Sequence, residues 1–330
     1  MRRLGKVLGW LLLMLVGVAG GLWIFGPYEP VDLEAEFEPR KFGEGVQVYF
    51  ESIESGFDDI TPGVEKRVVW QPDAYERRTP VSVLYIHGFS ATSQEIRPVP
   101  DAVAEALGAN LVYTRLQGHG RGAEPMGEAT VAGWMQDVAE GLAAARAVGD
   151  RVVVLATSTG ATLAVAAAMD PEMSQDVAAM IFVSPNFGIN DRLAFLLTWP
   201  GARYWVPLVV GDTRSFEPTR QAQATFWTTS YPVTALMPMA ALVAKVVGLD
   251  VSQISIPTLF RFSDDDQVVR PDLTRRVADR WGGPVQIQPV RMGPGDDPAS
   301  HVIAGDIMSP GQTDATIADM LAWLAAQGIE

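Results

Sequence analysis

The sequence predicts an α/β protein: a mostly parallel, doubly wound sheet with a helical cap insertion and an N-terminal transmembrane helix. Three observations carry this. Short β-branched and aromatic runs alternate with helical stretches of roughly 10–18 residues, the pattern of strand–helix–strand units. One of these runs, residues 152–155 (VVVL), passes through five small residues into an Ala-rich helix. Finally, His87, Ser158, Asp266 and His301 all fall in loops that follow predicted strands, where doubly wound sheets gather functional groups.

The elements follow in order. Residues 1–6 hold Arg2, Arg3 and Lys6, and residues 7–25 hold no charge. Such a run is long enough to cross the hydrocarbon core as a helix. Trp10 and Trp23 lie near its ends, where indoles favour the interface. The positive flank predicts a cytoplasmic N-terminus and a C-terminal domain outside the cytoplasm, periplasmic if the source is bacterial. The rival reading is a cleaved signal peptide, which would make the domain secreted. Against it, the run is long for a signal core and no clean A-x-A site follows.

Residues 27–44 are acidic, contain proline and read as a linker. Residues 46–51 and 64–70 read as a pair of antiparallel edge strands. Residues 81–86 (VSVLYI) are a strong strand, followed by a helix over about 94–107 and a strand over 110–114. Thr130 is placed to cap a helix running to about Val148, with Trp134, Val138 and Leu142 on one face. Strands 152–155 and 178–183 come next. From 187 to 250 the alternation stops, and bulky residues such as Phe195, Trp199, Trp205 and Trp227 dominate. This reads as a mostly helical cap. The pattern then returns: strand 258–262, a helix from Pro271 to about Trp281, strand 285–290 and a terminal helix over 312–326. Residues 45–186 and 251–330 are thus expected to form the core.

Composition narrows the chemistry. There are no cysteines, which excludes disulfides, thiolate metal sites and a cysteine nucleophile. Three histidines without an H-E-x-x-H pattern argue against a zinc enzyme. The net charge is −14, and the N-terminal segment contributes only positive charge, so the folded part is more acidic still. It would repel a phosphate backbone, and nucleic acid is not an expected partner. The oligomeric state is left open.

Residues 156–160 (ATSTG) sit at the strand-to-helix turn and match A-x-S-x-G, an alanine standing where the usual nucleophile elbow has glycine. A serine hydroxyl is a weak nucleophile and needs a base, itself oriented by a carboxylate. His301, after the last strand, is the expected base. Asp266 is the expected acid from the run Asp264-Asp265-Asp266, with Asp264 the next candidate; Val268 and Val269 are expected to pack inward and hold the loop. The tetrahedral intermediate needs two N–H donors. Thr159, just after the serine, and Phe89, in the loop after strand 81–86, are expected to supply them. Gly88 and His87 would shape that loop, and His87 and His119 are read as structural.

These motifs resemble the α/β-hydrolase superfamily in its serine-hydrolase branch. The residues that carry the likeness are YIHGFSAT at 85–92, LQGHGRG at 116–122, ATSTGAT at 156–162, SDDDQVV at 263–269 and SHVI at 300–303. The order Ser, Asp, His is that superfamily's order. The HGF and QGHG pair is especially similar to monoacylglycerol lipases, bacterial carboxylesterases and serine-aminopeptidase-like hydrolases. The resemblance covers about residues 80–327. It implies attack by Ser158 on a carboxylic ester, an acyl-enzyme, and hydrolysis by water activated by His301, with no cofactor and no metal. The apolar cap and the anchor favour short to medium acyl esters or lipids as substrate. Acyltransferase, thioesterase and peptidase activities run on the same triad. A non-catalytic tethered binding protein would be expected to lack a triad member, and here all three are present.

Overall fold

The computed structural model describes residues 2–330, the side chains of Arg2, Leu4 and Gly5 excepted. Helix α1 (Arg2–Phe25) includes Lys6–Phe25, 20 residues long and apolar enough to cross a membrane, none of it buried in the folded body. Next comes α2 (Val46–Glu54), where the sequence predicts an edge strand. Val46, Val48 and Phe50 alternate like a strand, but Val46, Phe50 and Glu54 recur every four residues. The helical period wins because that face is buried and Val48 is left outside. Glu54 then pairs with Arg115 in the interior.

The sheet begins with β1 (Arg67–Val69) and β2 (Thr79–Ile86). Helix α3 (Val99–Ala106) is shorter than the stretch predicted from residue 94. Pro98 has no N–H to give and disfavours helical geometry at Arg97, so the helix starts only after it. Then follow β3 (Asn110–Tyr113), a short unpredicted α4 (Ala123–Glu128), α5 (Val131–Val148), β4 (Gly149–Thr157), α6 (Thr159–Ala168) and β5 (Val177–Val183). Thr130 caps α5 as expected, accepting from Gly133 N at 3.0 Å.

Between β5 and the next sheet strand lie a 3₁₀ turn (Ala194–Thr198), α7 (Ala202–Val210), β6 (Thr213–Ser215), α8 (Gln221–Phe226), β7 (Ser230–Pro232) and α9 (Leu236–Val247). The β6–β7 antiparallel ladder is an addition to the helical reading. The chain returns through β8 (Thr258–Phe262), α10 (Pro271–Ala278), β9 (Val285–Pro289) and α11 (Pro310–Ala326).

The seven sheet strands run in the order β1-β3-β2-β4-β5-β8-β9. Only β1 is antiparallel; the other neighbours are parallel. Both faces are covered, as a parallel sheet requires. Leu84, Ile86, Val154, Ala156 and Phe182 pack on α5 and α6. Their alternates Val83, Tyr85, Val153, Leu155 and Ile181 pack beneath α3 and α11. The carboxyl ends of β2, β4 and β5 are level, with Ile86 beside Ala156 and Ala156 beside Phe182. Ser158 leaves the sheet from this central edge. Residues 31–37 lie against the body through Val31, Leu33, Ala35 and Phe37. The acids between them, Asp32, Glu34 and Glu36, face water.

Candidate active site

The sharp turn from β4 to α6 leaves Ser158 at φ 52°, ψ −118°. Few L-residues tolerate this region, so the surroundings must hold it. Ser158 N donates to Val183 O at 2.9 Å, and its carbonyl accepts from Ala161 N at 3.0 Å and Asn186 N at 3.1 Å. The turn also demands small neighbours. A Cβ on Gly160 would stand 2.3 Å from Ile86 O and 2.6 Å from His87 O, so α6 approaches β2 only because residue 160 is glycine. Ala156, the departure from the usual motif, is fully buried between Ile86 and Phe182.

Three predicted site residues meet above this edge. His301 Nε2 lies 3.1 Å from Ser158 Oγ, and His301 Nδ1 lies 2.8 Å from Asp266 Oδ2. The other Asp266 oxygen accepts from Val268 N at 2.8 Å and Val269 N at 2.9 Å. The valines hold the loop, but through their N–H groups. Only Val269 packs inward; Val268 is exposed. Asp264, the alternative acid, points away and pairs with Arg275 on the surface. Burial works against a charged His301, but the charge and hydrogen bond of Asp266 outweigh it, with Glu95 and Asp297 adding. The imidazole is held above its ordinary value of 6.5.

The loop after β2 closes against the serine. A Cβ on Gly88 would sit 3.1 Å from Ser158 Cβ and 2.8 Å from Glu95 Oε1, so glycine is required there. Among the described residues no protein acceptor takes the N–H of Phe89 or of Thr159, the first residue of α6. His87 hydrogen-bonds on both sides of the loop. Its Nε2 accepts from Leu116 N at 3.1 Å, which leaves Nδ1–H to donate to Gly88 O at 2.9 Å. Burial, then the neighbouring His119, push the His87 imidazole well below the ordinary range. Burial takes His119 down to about 4, against the pull of the Gln117 carbonyl. Both are therefore neutral and poor candidates for a base at neutral pH. The two rings lie 5.0 Å apart, and His119 also packs edge-on against Phe89 and Trp134.

Two residues of the site escape the sequence reading. Glu95 is buried under the loop, accepts from Gly88 N at 2.7 Å and from Tyr85 Oη at 3.2 Å, and is raised to about 7, chiefly by burial. Asp297 shapes the histidine loop, accepting from His301 N at 3.0 Å and Val302 N at 2.8 Å. Neither has a motif.

The segment between β5 and β8 roofs the site. Thr228 N donates to Ser90 O at 2.8 Å, Tyr231 packs edge-on against Phe89, and Asn186 reaches Met239. Ser158 is only 5% exposed and His301 8%. A hydroxyl, an imidazole and a carboxylate in line, beside two unpaired N–H groups and under an apolar roof, can carry out acyl transfer through an oxyanion.

Comparison with known proteins agrees with this geometry. A family described as serine aminopeptidase, S33 (Hydrolase_4), matches residues 78–288. A thermostable monoacylglycerol lipase of Bacillus sp. (strain H-257) is 27% identical over 197 residues, 60% of this chain and 75% of that protein. Among solved structures, the chain resembles one from work on LipS and LipT, two metagenome-derived lipolytic enzymes (TM-score 0.63, 19% identity, 81% of this chain and 99% of that one). It also resembles a soluble variant of monoglyceride lipase from Saccharomyces cerevisiae (TM-score 0.59, 14% identity, 80% and 91%). Est1E from Butyrivibrio proteoclasticus, with ferulic acid bound, is a further likeness (TM-score 0.55, 16% identity, 82% and 99%). With its sheet order, its strained serine turn and a family match over most of the α/β body, the chain belongs to the serine aminopeptidase S33 family of α/β-hydrolases.

Proposed function

We propose that the protein hydrolyses carboxylic esters of short to medium acyl chains, as a carboxylesterase or lipase, through an acyl-enzyme on Ser158. The observation that carries this is the in-line contact of Ser158, His301 and Asp266 at a strained strand-to-helix turn. Ser158 Oγ attacks the ester carbonyl as its proton passes to His301 Nε2. Asp266 orients the ring and stabilises the imidazolium. The N–H groups of Phe89 and Thr159 receive the oxyanion, with Gly88 and His87 supporting the loop. Collapse expels the alcohol, which takes the proton from His301. Water, giving its proton to the same nitrogen, then attacks the acyl-enzyme, and collapse returns that proton to Ser158 Oγ and releases the acid.

The chemistry needs no metal or cofactor. The names of the lipase and esterase relatives support an ester over a peptide. In this reading residues 45–186 and 251–330 are the catalytic core, 187–250 the cap and 27–44 a linker. Helix α1 is a membrane anchor, with its basic end cytoplasmic and the catalytic domain on the far side.

A series of p-nitrophenyl esters with acyl chains of two to sixteen carbons tests the function. Turnover should peak at short to medium length and vanish in Ser158→Ala. A rise beyond twelve carbons contradicts the chain length, and activity retained in the alanine variant contradicts the mechanism.

A further inference from the structure

Helix α7 is apolar on both sides. Its inner side is ordinary: Ala202 and Val206, one turn apart, pack on Val233 and Met237. Its outer side carries Tyr204, Leu208, Val209 and Val210, with Leu208 86% and Val209 71% exposed. Leu193 and, in the 3₁₀ turn that follows it, Phe195 are exposed too. A surface helix of a soluble body normally turns charges outward. A continuous apolar face of this size marks an interaction site.

What lies beside the face identifies its occupant. Phe195 packs on Trp199, and Trp199 packs edge-on against Trp23, near the C-terminal end of α1, at 5.9 Å between ring centres. Gly201 N donates to Pro27 O at 2.7 Å. The Arg203 guanidinium grips the Glu29 carboxylate with two hydrogen bonds, one of 3.0 Å from Nε to Oε2. The exit of the apolar helix is thus stapled to the start of α7, and the exposed surface of α1 continues into the exposed surface of the cap. Tryptophan and tyrosine at this junction suit the interface between hydrocarbon and water.

We infer that the outer face of α7 and the preceding turn is a lipid-contacting surface, set into the same membrane that α1 crosses. This rests on the anchor reading of α1. It places the roof of the active site against the leaflet. The roof also meets the loop after β2, through Thr228 and Ser90, so esters dissolved in that leaflet lie next to the cover of the site.

The chain has no cysteine, so introduced thiols report single positions. Full-length Leu208→Cys, Leu12→Cys and Glu172→Cys would each carry an environment-sensitive fluorophore. They would be reconstituted in phosphatidylcholine–phosphatidylglycerol vesicles with and without doxyl-labelled acyl chains. The inference expects the Leu208 probe to be quenched to a similar extent as the Leu12 probe and the Glu172 probe to be unaffected. Quenching at Leu12 without quenching at Leu208 overturns the surface and leaves the anchor standing. No quenching at either overturns both. A Leu208 probe shielded from doxyl lipid, in a chain that forms a Leu208→Cys disulfide with a second copy, means that another protomer covers the face and also overturns the inference. As a functional arm, Leu208→Asp with Val209→Asp should raise KM for an ester carried in vesicles and leave kcat/KM for a water-soluble ester unchanged. Equal loss on both substrates, or no loss on either, contradicts a lipid-facing role.

Discussion

Replacing Glu95 by glutamine removes a charge that the fold accommodates poorly. The carboxyl is 2% exposed and is raised from 4.5 to about 7 by burial, against the Gly88 N–H, the His301 charge and the Tyr85 hydroxyl. Between those two values the folded protein binds the proton and the unfolded chain does not. Stability from this group is therefore fully present below pH 4.5 and is lost as pH rises through 7. From pH 5 to pH 8 the loss comes to about 2–3 kcal/mol. The amide in Glu95→Gln keeps an acceptor for Gly88 N–H and never ionises, so the variant escapes this loss. The two proteins should thus diverge in Tm by roughly 5 °C over that pH interval, in favour of the variant at the alkaline end. Thermal melts of both proteins at pH 5 and pH 8 measure it. A Tm difference that does not change with pH would mean that Glu95 does not ionise in that window.

The other predictions concern the site itself. Asp266→Asn should lower kcat by about 10,000-fold, because the imidazolium loses its partner. Asp264→Asn should leave kcat unchanged and cost under about 1 kcal/mol, its ion pair being a surface one; steady-state kinetics and melts separate the two acids. Gly160→Ala should destabilise the fold by about 1–3 kcal/mol or more, read by denaturant unfolding, because its Cβ meets two backbone carbonyls that cannot rotate away. The pH profile of kcat/KM should have an acid limb centred above 6.5, since His301 must be neutral to act as base and its proton is retained there. The stability that His301 contributes is fully present below its ordinary value and is lost as pH rises through the raised one. In Glu95→Gln the limb should move to lower pH, because one of the charges holding the proton is gone.

The strands are legible in the sequence where apolar runs are continuous. β2, β4, β5 and β8 are buried on both faces, and their shortness and β-branched content decide for strand over buried helix. Residues 46–54 are ambiguous because VQVYFESIE satisfies both periods, and only the burial of Val46, Phe50 and Glu54 decides. The start of α3 falls later than the pattern suggests because Pro98 acts on the residue before it as well as on itself. In the site, Ser158, Asp266 and His301 can be found because each follows a strand and their order is diagnostic. Glu95 and Asp297 stay hidden because their work is done through backbone amides: Gly88 N–H for one, the N–H groups of His301 and Val302 for the other. Such partners depend on how a loop folds back, and no residue spacing records that.

A Ser158 nucleophile activated by His301 reacts with a phosphonylating agent where other serines do not. Mass spectrometry of the folded full-length chain after treatment with a fluorophosphonate tests it most directly. One adduct is expected, on the peptide containing Ser158, absent in Ser158→Ala and strongly slowed in His301→Ala. An active, folded protein that takes no adduct, or takes it on another residue, would rule out Ser158 as the nucleophile.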